Sequence, residues 1–212
     1  MVNNLYKKSI RDLEKLVLVE DPSAMHELAR RLVQGEGIAE DDKRGFKLAT
    51  KSSQLGYMPA YTVLGYCHFY GKAVPLDPKK GHELFLKAAE AGHDAAQYNV
   101  GIAYERGTVI PQDYKLSYRW YQKAAEQGFA KAYYKLGVFE ENGLIGDIDV
   151  VKAASFYEES AKRGYVKAKT QIGEAYLEGR GVIKDLVKAK KYLEAAAFAG
   201  DNQAKRLLVN LK

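Results

Sequence analysis

The chain has 212 residues, 47% of them hydrophobic and 28% charged, enough for one large or two small domains with a buried core. Its one cysteine, Cys67, excludes a disulfide framework within the chain and a thiolate zinc cluster, and apolar runs such as residues 195–199 fall far short of the roughly 18 residues a membrane-crossing helix needs. A net charge of +6, from 33 Lys and Arg against 27 Asp and Glu, raises nucleic acid or an anionic membrane as partners, a question that the placement of the charges decides.

At the N-terminus, residues 1–8 lack the apolar core of a secretion signal, which predicts a cytoplasmic protein. Residues 4–19 then set Ile10, Leu13, Leu16 and Val17 on one side and Arg11, Asp12, Glu14 and Lys15 between them. That spacing predicts one capping helix within residues 1–23.

From residue 24 the chain repeats with a period of 36: Ala24, Ala60, Ala96, Ala132, Ala168 and Ala204. Four residues after each alanine stands Leu28, Leu64, Val100, Leu136, Ile172 or Leu208. Glycine follows at offset 11 (Gly35, Gly71, Gly107, Gly143, Gly179), aspartate at offset 17 (Asp41, Asp77, Asp113, Asp149, Asp185), and glycine again at offset 32 (Gly56, Gly92, Gly128, Gly164, Gly200). A fixed period of this length marks stacked structural repeats, here 24–59, 60–95, 96–131, 132–167 and 168–203.

Each unit predicts a helix pair. Apolar residues at offsets 0, 4 and 8 form one helical face, and the glycine at offset 11 stops the first helix by accepting a left-handed conformation. After a short loop the aspartate at offset 17 caps the second helix, with Pro78 at the favoured first position in repeat 2. The second helix packs a stripe of one large ring and small residues, such as Trp120, Tyr121, Ala124 and Ala125. Loops are expected near offsets 11–17 and 32–35. At the end of the chain, Ala204, Leu207, Leu208 and Leu211 predict a C-terminal capping helix over 204–212.

This pattern resembles the Sel-one-like repeat (SLR) family, relatives of the tetratricopeptide repeats. Repeat 5 carries the resemblance most fully, through Ala168, Ile172, Gly173, Tyr176, Gly179, Gly181, Val182, Asp185, Lys188, Ala189, Tyr192, Ala196, Ala197 and Gly200. The resemblance covers residues 24–204 and implies an all-α fold, a right-handed α-solenoid (α/α superhelix) of five 36-residue repeats forming one continuous domain. It implies a non-enzymatic adaptor, regulator or immunity-type protein that binds other proteins. There are departures. The second loop glycine, present at Gly37 and Gly181, is Ala73, Val109 and Ile145 in the middle repeats, so those loops should differ in shape. Repeat 1 has Ala29 where the family has a first-helix glycine, and the paired cysteines of the secreted members are missing.

Catalytic signatures are few. No serine has lysine three residues later, which removes the S-x-x-K chemistry of β-lactamases. His26-Glu27 and His82-Glu83 begin like a zinc-helix motif but continue to Arg30 and Leu86. The expectation is therefore no catalytic, metal or cofactor site. An enzyme or accessory protein acting on a cell-wall precursor is the alternative reading.

The basic residues concentrate on the second helices, as Lys43, Arg44, Lys47 and Lys51 do in repeat 1. Tetratricopeptide-like stacks turn these helices to the outer, convex side. Polyanion binding there is a second alternative, but Glu83, Glu159 and Glu194 interrupt the stripe, so nucleic acid is not expected. First-helix offsets 2, 6, 9 and 10 point away from the apolar stripe and need not be apolar for packing. Yet they hold Tyr66, Phe69, Tyr70, Tyr98, Ile102, Tyr134 and Val138. A concave groove for a peptide or domain surface is predicted on Tyr66, Phe69, Tyr70, Tyr98, Arg106 and Tyr134, with Glu141 and Glu174 among the acidic residues of its rim, suited to a basic segment.

Overall fold

The computed structural model describes residues 5–209, among which twelve α-helices and no strand are found. A 3-10 turn at Leu5–Lys7 precedes α1 (Ile10–Leu18). Repeat 1 holds α2 (Pro22–Gln34) and α3 (Asp42–Gln54), repeat 2 α4 (Ala60–Tyr70) and α5 (Pro78–Glu90), and repeat 3 α6 (Asp94–Arg106) and α7 (Tyr114–Glu126). Repeat 4 holds α8 (Ala130–Glu141) and α9 (Val150–Lys162), repeat 5 α10 (Val166–Glu178) and α11 (Leu186–Phe198), and α12 (Asn202–Val209) follows. The chain divides into two compact units. The first runs to Ala103 and takes in Gly107–Pro111; the second takes Tyr104–Arg106 and everything from Gln112.

The aspartates act as the spacing predicts. Each carboxylate accepts a backbone N–H from the first turn of a second helix, that of Leu116 at 2.8 Å and that of Lys152 at 2.9 Å for example. Each aspartate's own N–H donates back to a carbonyl late in the first helix, on Leu32, His68, Tyr104, Glu140 and Tyr176, at 2.8–3.0 Å. One residue type thus caps one helix and closes the loop from the other.

The first helices end on left-handed Gly35, Gly71, Gly107 and Gly179. In repeat 4 the helix ends one residue earlier, on Asn142 with φ −103°, whose side-chain amide donates to the Val138 carbonyl at 2.7 Å, and Gly143 follows in the same left-handed conformation at φ 60°. Ala73 keeps the left-handed conformation of the glycine it replaces, at φ 62°, whereas Val109 and Ile145 do not adopt it. An L-residue held there is strained by roughly 1 kcal/mol. Ala73→Gly is therefore expected to raise the unfolding free energy by about that much, read as a higher urea midpoint at unchanged slope.

The links between repeats are shorter than the spacing suggests. Helices α6, α8, α10 and α12 start two residues before the marker alanine, leaving three-residue links at 91–93, 127–129, 163–165 and 199–201. The cause is a tight helix end. In each, the glycine N–H returns to the carbonyl three residues back and the next N–H to the carbonyl five back, as in Gly164 to Ala161 at 2.9 Å and Tyr165 to Ser160 at 3.2 Å. This double closure turns the chain at once into the next helix.

The family's first-helix glycine serves close approach. A Cβ on Gly137 would lie 2.6 Å from the Tyr157 ring. Repeat 1 tolerates Ala29 because the position corresponding to Tyr157 is Ala49 there, and both alanines are fully buried together with Val33 and Cys67.

Among the described residues the N-terminal segment is the 3-10 turn followed by α1, and Ser9 starts that helix: its hydroxyl accepts the Asp12 N–H at 3.2 Å. The preceding turn is held by Arg31, whose guanidinium donates to the carbonyls of Lys8 (2.8 Å), Leu5 (3.2 Å) and Tyr6 (2.7 Å). Leu13 packs with Leu28 and Leu32 beneath it. At the other end Leu207 and Leu208 pack on Leu193 and Ala196; Leu211, placed by the sequence on the same stripe, lies outside the described residues.

Candidate protein-binding site

Two rules of the repeat decide which predicted residues are free to bind. Offset 9 of a first helix meets offset 25 of the second helix in the same repeat. Phe69 meets Phe85, with ring centres 6.1 Å apart. Glu105 accepts the hydroxyl of Tyr121, and Glu141 that of Tyr157 at 2.6 Å. Offset 2 meets the link at offset 33: His26 with Tyr57 (5.5 Å), Thr62 with His93 (2.8 Å), Tyr134 with Tyr165 (5.2 Å). Offsets 2 and 9, which need not be apolar for packing, nonetheless pack. Both lie against a second element, and His26 and Thr170 at offset 2 are buried.

In the first unit, Tyr66 and Tyr70 remain. They stand one helical turn apart on α4 with ring centres 4.5 Å apart, and Tyr70 is 54% exposed. Phe69 touches Tyr70 at 5.2 Å but points its ring to Phe85. Burial pushes the Tyr66 hydroxyl's pKa up, so it stays a neutral hydrogen-bond donor at physiological pH. Tyr98 is half-buried on α6. Next to α4, Lys72 donates to the Val33 carbonyl at 2.8 Å and to Glu40 and Asp42 at 3.1 and 3.3 Å. Further along, His26 and His93 meet edge to face at 5.6 Å, and burial first, then His93, holds the His26 imidazole down at about 3.

In the second unit, Arg106 is exposed at the end of α6. Tyr134 is wedged between Tyr157 (5.6 Å) and Tyr165 (5.2 Å). The acidic rim is not bare. Arg180 reaches Glu141 at 2.9 Å, Glu178 at 3.6 Å and Glu174 at 3.9 Å. Burial and the neighbouring Glu178 push the Glu174 carboxyl above its usual range. Three carboxylates around one guanidinium leave negative charge over, so attraction for a basic group persists at reduced strength.

Sequence reasoning missed Arg180. Its signal is position: at offset 12 only repeats 2 and 5 carry a cation, Lys72 and Arg180, and each reaches back into the preceding repeat. The basic second-helix face is also partly answered within the chain. Arg44 pairs with Glu14 and Lys51 with Glu20, both at 2.6 Å.

Comparison with known proteins agrees with this anatomy. The model of the Sel1 repeat matches residues 22–57, 59–93, 94–129, 130–165 and 166–201, a frame about two residues ahead of the alanines, as the helix starts are. A Sel1 repeat protein from Oxalobacter formigenes is 31% identical over 94% of this chain and 81% of its own, with a TM-score of 0.80. A protective antigen of uropathogenic Escherichia coli with an SLR fold is 27% identical over 97% of this chain, which spans 44% of that one, at a TM-score of 0.76. An immunity protein from Pseudomonas aeruginosa is 20% identical over 92% of this chain and 73% of its own, at a TM-score of 0.66, a likeness of fold. No curated protein matches the sequence.

Proposed function

This chain belongs to the Sel1 repeat family, and we propose that it is a non-enzymatic scaffold that binds another protein on the face carried by its first helices. The observation behind this reading is the Tyr66–Tyr70 pair. Two large rings stand on adjacent turns of α4, one of them more than half exposed, where repeat 1 has Arg30 and Gln34 and repeat 5 has Glu174 and Glu178. Nothing in the repeat requires rings there, and tyrosines in such positions supply large contact area at modest entropic cost. Within the first unit Tyr98 takes a supporting part; in the second, Arg106, Tyr134, Glu141 and Glu174 are contact residues in their own right, the last two as carboxylates that share Arg180 with a basic group of a partner. The cytoplasm suits such a protein, whose one cysteine, Cys67, is a buried free thiol.

The test is affinity capture with quantitative mass spectrometry, followed by calorimetric titration of the partner found. Tyr70→Ala should weaken the partner at nearly unchanged thermal stability. Tyr66→Ala/Tyr70→Ala should lose it or bind it at least tenfold more weakly, a loss of about 1.4 kcal/mol or more, with a lower melting temperature because Tyr66 also packs on the buried cluster of Val33, Val63 and Cys67. Charge reversal at exposed Lys43 or Lys47 should change affinity far less. An unaltered partner set in the double tyrosine variant would remove the reading.

A further inference from the structure

One edge of the second unit carries an aliphatic patch that packing does not explain. Ile148 is 66% exposed, Val151 65%, Ile183 91%, Leu186 54% and Val187 81%. Repeats 4 and 5 contribute to it together. A Cβ on Gly181 would stand 2.0 Å from the Val150 carbonyl oxygen and 3.1 Å from the Val151 nitrogen, so the loop of repeat 5 lies on the first turn of α9, with Val182 packed into the core below. The repeat itself supplies the contrast. At offset 19, repeats 1 to 3 have Lys43, Lys79 and Lys115, whereas repeats 4 and 5 have Val151 and Val187. A position that faces water normally takes such a lysine. Grouped aliphatics in its place mark a contact surface.

The surrounding charge identifies the partner's chemistry. α11 sets Lys190 and Lys191 beside Leu186 and Val187 along a shallow concavity that Glu194 completes. Glu194 is matched by Lys190 at 3.9 Å, and the carboxylates of Asp149 and Asp185 cap helices. The edge is therefore apolar at its centre and basic along one side. A second copy docked two-fold on this edge would set lysine-rich helices near each other. We propose that this edge docks an amphipathic acidic segment of another protein, its apolar residues on Val151, Ile183 and Val187 and its carboxylates on Lys190 and Lys191. This surface lies on second-helix starts and stands independently of the Tyr66–Tyr70 reading.

The probe is a synthetic peptide with leucines on one helical face and glutamates on the other, titrated into the full chain labelled for amide NMR. Shifts confined to residues 148–152 and 183–194 are expected. Affinity should fall at least tenfold in Val151→Ser/Val187→Ser and in Lys190→Glu/Lys191→Glu, and stay unchanged in Lys43→Glu/Lys47→Glu. All three variants change exposed side chains, so their melting temperatures should match the parent's. Equal binding of a peptide with lysines for glutamates, shifts elsewhere, or unaltered affinity in the valine variant would overturn the proposal. So would binding of phosphatidylserine vesicles that the valine variant abolishes, which would make the edge a membrane surface. A dimer that dissociates in that variant would make it a self-association surface.

Discussion

Folding stability should fall by roughly 2 kcal/mol as the pH is lowered from about 6.5 to about 4.5, through His26 alone. The imidazole is buried against His93 and Tyr57, which holds its pKa at about 3 instead of 6.5. Above the ordinary value the ring is neutral in both states and contributes no pH dependence. Below it the unfolded chain binds a proton that the folded chain refuses, so stability is lost at up to about 1.4 kcal/mol per unit until the folded value is reached. His93 and His82, both lowered by burial, act in the same direction. Carboxylates whose pKa is depressed by their partners, such as Glu27 beside Arg30 and Arg31 and Asp21 beside Ser23, lose their contribution only at lower pH. Urea midpoints at several pH values, compared between the parent and His26→Phe, check this. The variant should show a fall smaller by about 2 kcal/mol over that window. Parallel curves would show that His26 is protonated in the fold.

Arg31→Met should cost roughly 2–4 kcal/mol, with the loss concentrated at the N-terminal cap. The guanidinium is one of two that hold the buried Glu27 carboxylate, at 2.7 Å, and it alone gathers the carbonyls of Leu5, Tyr6 and Lys8. Its removal leaves Glu27 to Arg30 and those carbonyls without this donor. Hydrogen exchange should speed up over residues 5–18 before it changes anywhere in the second unit. Arg31→Lys should recover little, because a single ammonium does not reproduce the planar fork. Uniform protection in the methionine variant would contradict the assignment.

The helix pairs were legible because their signals are local and recur. The aspartate at offset 17 and the glycine at offset 32 act within a few residues of their own position, and five copies make the pattern unmistakable. The binding face was harder to read. Whether Phe69, Tyr134 or Glu141 is free depends on a residue 16 or 31 positions away, Phe85, Tyr165 or Tyr157, and a single-helix projection does not contain that partner. The covariation is visible in retrospect. Phe69 with Phe85, Glu105 with Tyr121, Glu141 with Tyr157 and Leu177 with Leu193 are matched pairs at the same two offsets. Ala29 became intelligible in the same way, once Ala49 was seen opposite it. The start of α1 at Ser9 was not legible from the stripe, because the hydroxyl that caps the helix answers the free N–H groups of its first turn, which an apolar pattern does not report.

The cations that reach backwards give the molecule a direction in time. A ribosome releases repeat 1 well before residue 72, so the Val33 carbonyl and the Glu40 and Asp42 carboxylates wait for Lys72 to emerge from the exit tunnel. Glu141 waits likewise for Arg180, almost forty residues later. A nascent chain stalled between a repeat and the next loop cation therefore carries a last repeat with open polar ends. The loops of repeats 2 and 5 thus complete the repeats before them, and those two steps mature behind their own synthesis.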